Sequence, residues 1–132
     1  MKTILICDDD DLLRDFYGRV LEAKGYKVVS AENGAIGLEK INANPSEISL
    51  AIVDLLMPVM NGWDLINKLQ NNDDTKNIPI IAITGLSSSR EDFQKVKESC
   101  CEIINKGEFD LAQFLSFVEK YSIWTSLKTE YF

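Results

Sequence analysis

The sequence predicts an α/β fold: a doubly wound, five-stranded parallel sheet with helices on both faces. Three observations lead to it. Short runs rich in Ile, Val and Leu alternate with segments of helical periodicity along the 132 residues. Two of those runs, "LAIVD" and "IIAIT", are almost wholly apolar, as strands covered on both faces are. Five strand–helix units in succession then give parallel strands joined by right-handed crossovers.

The elements follow in order. The first run, Thr3–Cys7, leads into a predicted helix over Asp11–Lys24. Leu12, Leu13, Phe16, Val20 and Leu21 form its apolar stripe, and Gly25 supplies the stop. Lys27–Ala31 is the second run, with a helix over Gly34–Ala43; Leu50–Asp54 is the third, with a helix over Asn61–Gln70. Ile80–Thr84 precedes a helix over Ser88–Ser99, for which Ser88 or Ser89 is a suitable N-cap. Glu102–Asn105 precedes the last helix, Asp110–Tyr121, capped by Asp110. Neither an internal repeat nor an interdomain linker interrupts the chain before residue 121, so residues 1–121 form one domain. In the tail "SIWTSLKTEYF", Trp124, Leu127 and Tyr131 fall at helical spacing. That stripe can extend the helix, fold back or mark an interface, and packing on its own domain is the commoner outcome. Residues 122–132 are accordingly read as a helical extension or the start of a linker.

Composition narrows the function. Apolar residues make up 45% and charged residues 27%, ordinary values for a soluble globular chain. A net charge of -7 provides no electrostatic footprint for nucleic acid. No stretch is long and apolar enough to span a membrane and no signal-peptide pattern opens the chain, so a cytoplasmic location is expected. Cys7, Cys100 and Cys101 do not suggest a disulfide framework and are expected as reduced structural thiols. There is no histidine, which excludes Ser-His-Asp and Cys-His catalysis and His-ligated zinc or haem. Carboxylates, hydroxyls and amines must carry the chemistry.

In an open parallel sheet, ligands bind beyond the carboxyl ends of the strands, near the topological switch point. The first strand ends in Asp8, Asp9, Asp10 and Asp11, the third in Asp54 and the fourth in Thr84; Lys106 follows the fifth. Adjacent strands would hold Asp8, Asp9 and Asp54 close together, and carboxylates so packed stay ionised only if a cation offsets them. Mg²⁺ suits such an all-oxygen site that leaves room for a phosphoryl group. Thr84 can donate to a phosphoryl oxygen and Lys106 can neutralise its charge. The chain lacks G-x-x-x-x-G-K-[ST], which argues against a P-loop ATPase. Taken singly, each residue has a plainer use: Asp10 and Asp11 as cap and first-turn acids of a helix, Asp54 as a turn residue, Lys106 as a solubilising charge. The conjunction at successive strand ends is what points to a phosphoryl-binding pocket.

"ILICDDD", "IVDLLMPVMNG", "IPIIAITG" and "INK", in this order and at these intervals, resemble the receiver domain of two-component response regulators. The resemblance covers about the first 121 residues, and Asp54-x-x-Met57-Pro58-x-Met60-x-Gly62 is its most specific piece. It implies a flavodoxin-like three-layer sandwich with strand order 2-1-3-4-5. It implies further that Asp54 is the phosphoacceptor, and that Asp9, Asp54 and the Leu56 backbone carbonyl ligate Mg²⁺, with Asp8 acting through a metal-bound water. Thr84 becomes the switch hydroxyl and Lys106 the phosphoryl-binding amine. The implied donor is a phosphohistidine on a sensor histidine kinase or phosphotransfer protein, and the implied target a downstream effector or output domain. A homodimer through the face of the fourth helix, fifth strand and fifth helix is expected on the same ground.

The sequence departs from this family pattern in three places. Ile103 stands where an aromatic switch residue is common, Gly107 where proline follows the lysine, and "KGEF" holds one residue more than "KPF". A cis peptide at Gly107 is therefore not expected, and the face built on the fifth strand is expected to differ. Leu56 and Leu86, apolar at positions flanking the pocket, are expected to restrict water and slow dephosphorylation. Three other readings are weaker. An aspartate-nucleophile phosphatase needs a D-x-D-x-T run, which "DDDDLL" does not supply. A degenerate receiver acting as a phosphorylation-independent binding module conflicts with the intact set of Asp8, Asp9, Asp54, Thr84 and Lys106. A flavin site would set four aspartates against the flavin phosphate.

Overall fold

The computed structural model describes residues 2–85 and 91–131, apart from the side chains of 91–93, 95 and 124–131. Five strands, β1 (Thr3–Cys7), β2 (Lys27–Ala31), β3 (Ile48–Asp54), β4 (Ile80–Thr84) and β5 (Glu102–Asn105), form one parallel sheet. Its order is β2-β1-β3-β4-β5, which places the reversal of winding between β1 and β3. The helices are α1 (Asp11–Ala23), α2 (Gly34–Ala43), α3 (Gly62–Gln70), α4 (Glu91–Ser99) and α5 (Leu111–Tyr131).

Side chains of successive strand residues point to opposite faces, and here both faces are apolar. Leu5, Cys7, Ala51, Val53, Ile80 and Ala82 face α2, α3 and α4, packing on Ile41, Leu65, Leu69 and Val96. Ile4, Ile6, Leu50, Ile52, Ile81, Ile83 and Ile104 face α1 and α5, packing on Tyr17, Leu21, Phe114 and Val118. Each fully buried aliphatic of this kind contributes roughly 1.5–3 kcal/mol. The resulting stack is helix layer, sheet, helix layer.

Several boundaries differ from the sequence expectation. β3 begins at Ile48, two residues early, because a 3-10 turn over Pro45–Glu47 delivers the chain directly to the sheet. Asn61 is not helical; it caps α3, its Oδ1 accepting from Asp64 N–H at 2.9 Å. Asp110 likewise precedes α5 and accepts from Gln113 N–H at 3.2 Å. The stripe on α1 needs correction: Leu12 is 83% exposed and Phe16 41%, whereas Tyr17 and Leu21 are buried. Leu13, Tyr17 and Leu21 recur every fourth residue, and Leu12 and Phe16 stand one position, about 100°, around the helix. Gly25 ends α1 at φ +94°, the left-handed conformation that glycine adopts without strain. α5 continues past Tyr121 to Tyr131, with Ser122 fully buried. The expected N-caps Ser88 and Ser89, the flanking Leu86, and the side chains of Trp124, Leu127 and Tyr131 lie outside the described residues. Among the described residues no peptide bond is cis and no helix is long and apolar enough to cross a membrane.

Candidate functional site

The site forms where four strands stop. Asp8 follows β1, Asp54 ends β3, Thr84 ends β4, and Lys106 follows β5. In register, Cys7 lies beside Val53, Asp54 beside Ile83, and Thr84 beside Asn105, so these residues line one edge of the sheet. Asp8, Asp54 and Thr84 are almost wholly buried, and Asp9 is exposed.

The carboxylates of Asp8, Asp10 and Asp11 are held locally. Asp8 N–H donates to the Ala31 carbonyl at 3.1 Å, extending the β1–β2 ladder by one residue. Its carbonyl accepts from Arg14 Nη1 at 2.7 Å, and its Oδ1 accepts from Asp10 N–H at 2.9 Å. Asp10 in turn caps α1, its Oδ1 accepting from Leu12 and Leu13 N–H at 3.0 and 3.1 Å. Asp11 occupies the first turn and pairs with Arg14. Within the aspartate run, Asp8 and Asp9 thus face the strand edge while Asp10 and Asp11 serve the helix.

Asp54 Oδ1 accepts from Leu56 N–H at 3.2 Å, and Oδ2 accepts from Lys106 Nζ at 3.0 Å. The same ammonium lies 3.5 Å from Asp8 Oδ2 and so bridges the two buried acids. The loop after Asp54 is pressed tightly on its surroundings. A Cβ on Gly62 would fall 2.4 Å from the Asp54 carbonyl oxygen and 2.6 Å from Leu55 Cα, so only glycine fits. Gly62 N–H donates to the Leu55 carbonyl at 2.9 Å, and Gly34 N–H at the head of α2 donates to the Met60 carbonyl at 3.0 Å. Between these ties, Met60 N–H reaches back to the Pro58 carbonyl at 2.8 Å around Val59 at φ 68°. That is a γ-turn, and for a β-branched residue a strained one.

Charges at the site are perturbed in a consistent direction. Burial pushes the Asp8 carboxyl up from 3.8 to about 6; the Asp10 N–H bond and Lys106 oppose the shift, and Asp54 and Asp9 add to it. Burial acts to lower the Lys106 pKa, but the hydrogen bond and charge of Asp54, with the charge of Asp8, outweigh it and raise the net value. One carboxylate oxygen from each of Asp8, Asp9 and Asp54 lies within 4.8 Å of the others. Three hard oxygen donors, two of them buried, fit a divalent cation of the Mg²⁺ kind, whose charge would offset the unfavourable ionisation of Asp8.

Ile103 is half-buried, pairs with Ala82 and packs against the core on the α2–α3–α4 face. Three neighbours of the site escape sequence reasoning. Arg14 fixes the Asp8 backbone from a helix that reads only as amphipathic. Asn105 Oδ1 accepts from Gly107 N–H at 2.8 Å, capping a 3-10 turn over Lys106–Glu108. "N-K-G" is the sequence signal of this turn. Phe109, leaving that turn, stacks among Phe16, Tyr17 and Phe114 at centroid distances of 6.2, 5.8 and 5.5 Å.

Comparison with known proteins bears on this geometry. The response regulator receiver domain family matches residues 4–119. The polar-differentiation response regulator DivK of Brucella anthropi is 23% identical over 120 residues, covering 91% of this chain and 95% of DivK. Other relatives are far longer: histidine kinase P4 of Formosa agariphila is 35% identical over 86% of this chain, which spans only 8% of that protein. Among solved structures, Vibrio cholerae chemotaxis protein CheY4 superposes with a TM-score of 0.80 at 25% identity, covering 92% of this chain and 98% of CheY4. Thermotoga maritima TrrA, solved in complex with Mg²⁺ and BeF, superposes with a TM-score of 0.78 at 28% identity, covering 92% and 99%.

Proposed function

The chain belongs to the response regulator receiver domain family, and on that premise we propose that Asp54 accepts a phosphoryl group from a phosphohistidine and that the modified domain switches a partner. The observation that carries this reading is Lys106 Nζ bridging the buried Asp54 and Asp8 at 3.0 and 3.5 Å. An acid buried at a strand end, beside a single ammonium, is arranged to receive and neutralise a group of high negative charge.

An Asp54 carboxylate oxygen attacks phosphorus in line. The new O–P bond forms as the P–N bond to the donor imidazole breaks, and the bonding pair departs with that nitrogen, which takes up a proton. Mg²⁺ held by Asp9, Asp54 and the Leu56 carbonyl, with Asp8 acting through water, would neutralise charge on the transferred oxygens. Lys106 releases Asp54 Oδ2 and follows the phosphoryl group. Thr84, at the end of the adjacent strand, donates its hydroxyl to a phosphoryl oxygen, and Ile103 repacks in response. The domain thereby shifts between two pre-existing states. Its catalysis is confined to its own phosphorylation and dephosphorylation.

The receiver domain comprises residues 1–121 in this reading, with 122–132 as an extension of α5. The donor is a sensor histidine kinase or phosphotransfer protein in the cytoplasm, and the target an effector, an output domain or a second copy meeting the α4–β5–α5 face. Incubation with acetyl phosphate and Mg²⁺, followed by intact-mass measurement, tests the reading. Wild type gains one phosphoryl mass and Asp54→Asn gains none; equal labelling of the two overturns it.

A further inference from the structure

Lys106 depends on a weakly supported piece of chain. β5 is an edge strand, paired only with β4, and Lys106 lies beyond its last residue. Gly107, the next residue, has the greatest conformational freedom of any amino acid. A lysine side chain adds four rotatable bonds of its own. Yet Nζ is placed between two carboxylates, one just after β1 and one at the end of β3. Something must fix the turn from which it reaches.

Two side chains do so, one at each end. Phe109 closes the far end by stacking on Tyr17 and Phe114, both buried. At the near end, Asn105 Oδ1 receives Gly107 N–H at 2.8 Å, and this bond passes around the backbone of Lys106 itself. The contact is snug, since a Cβ on Gly107 would lie 3.2 Å from the same oxygen. It also requires a residue other than proline at 107, because proline has no N–H to give.

We propose that Asn105 is a positioning residue for phosphoryl transfer: by capping the turn through Gly107 N–H, it aims the Lys106 ammonium at the phosphoacceptor. The inference rests on the role given above to Lys106 and adds a residue that never touches the phosphoryl group. Losing the cap releases the turn, and the ammonium then spends less time in reach of Asp54. Transfer slows for want of Lys106.

The test measures phosphorylation of the full chain by acetyl phosphate and Mg²⁺, beryllofluoride affinity, and the urea midpoint, for Asn105→Ala, Asn105→Ser, Lys106→Ala and the Asn105→Ala/Lys106→Ala double variant. Loss of one capping hydrogen bond predicts a phosphorylation rate lower by roughly three- to tenfold in Asn105→Ala. Serine, a shorter acceptor that still caps, restores most of the rate, and beryllofluoride affinity follows the same order. The double variant is no slower than Lys106→Ala. A wild-type rate in Asn105→Ala beside a slow Lys106→Ala overturns the proposal, as do multiplicative losses in the double variant or losses that track the urea midpoint. Should Asn105→Ala fold poorly, Asn105→Gln carries the test, with the amide kept but displaced by one methylene. A wild-type rate in Lys106→Ala is a different failure, because it removes the role of Lys106 on which the proposal stands.

Discussion

Replacing Asp8 with asparagine should make the metal-free protein more stable at neutral pH. The carboxyl is pushed up from 3.8 to about 6, chiefly by burial, so the folded state holds its proton more tightly than the unfolded chain does. Well below pH 4 the group is protonated in both states and costs nothing. Stability falls as pH rises from about 4 to about 6, where the unfolded chain has released this proton and the folded state still holds it, and levels off above 6. A shift of this size corresponds to about 3 kcal/mol. Asparagine is close to the protonated form: it keeps an Oδ1 for Asp10 N–H and carries no charge. Urea unfolding of both proteins in EDTA, from pH 4 to 8, measures the difference. Asp9, Asp54, Lys106 and Arg14 surround Asp8 in both proteins. The two should be alike near pH 4, with the variant ahead by a few kcal/mol at pH 8. Saturating Mg²⁺ should restore wild type by mass action and do little for the variant. A wild type more stable than the variant at pH 8 without metal, or a difference independent of pH, would refute the reasoning.

Three further outcomes follow from the same geometry. Leu56 is 49% exposed beside Asp54, the proposed phosphoacceptor, and Leu56→Asn should admit water and shorten the phosphate lifetime; a longer lifetime in a decay assay goes against it. Asp9→Asn should weaken Mg²⁺ binding at least ~10-fold more than Asp11→Asn, because Asp9 belongs to the oxygen cluster and Asp11 to the first turn of α1; equal losses by titration would undo that division. Gly62→Ala should destabilise the fold by about 2 kcal/mol or more, since its Cβ would meet backbone atoms of Asp54 and Leu55; an unchanged urea midpoint would contradict it.

Much of this architecture is legible because its strongest signals are local. The strands β1, β2, β4 and β5 coincide with their predicted runs; β1 and β4 are buried throughout, whereas β2 carries exposed Lys27 and Ser30 at its polar positions. The site is legible for a related reason: strand ends converge by topology, so reading the residues after each run names Asp8, Asp54, Thr84 and Lys106 together. What escapes is the support. Periodicity assigns Leu12 and Phe16 to the buried stripe because a 13-residue helix rich in apolar residues fits two stripes nearly as well as one. Arg14 and Asn105 act through backbone atoms of other residues, and such partners leave no pattern in side-chain spacing. The strained γ-turn at Val59 is equally invisible, because valine predicts a strand and only Gly34, Gly62 and their carbonyl partners override it.

The parts of the site come from nearly the whole length of the chain, with Asp8 near the start and Lys106 beyond the last strand. No fragment lacking β5 can hold Asp54 against its ammonium, and parallel pairing of distant strands is slow to form. In the proposed reading, a chain that has not yet placed β5 therefore lacks the Lys106 contact that speeds phosphoryl acceptance.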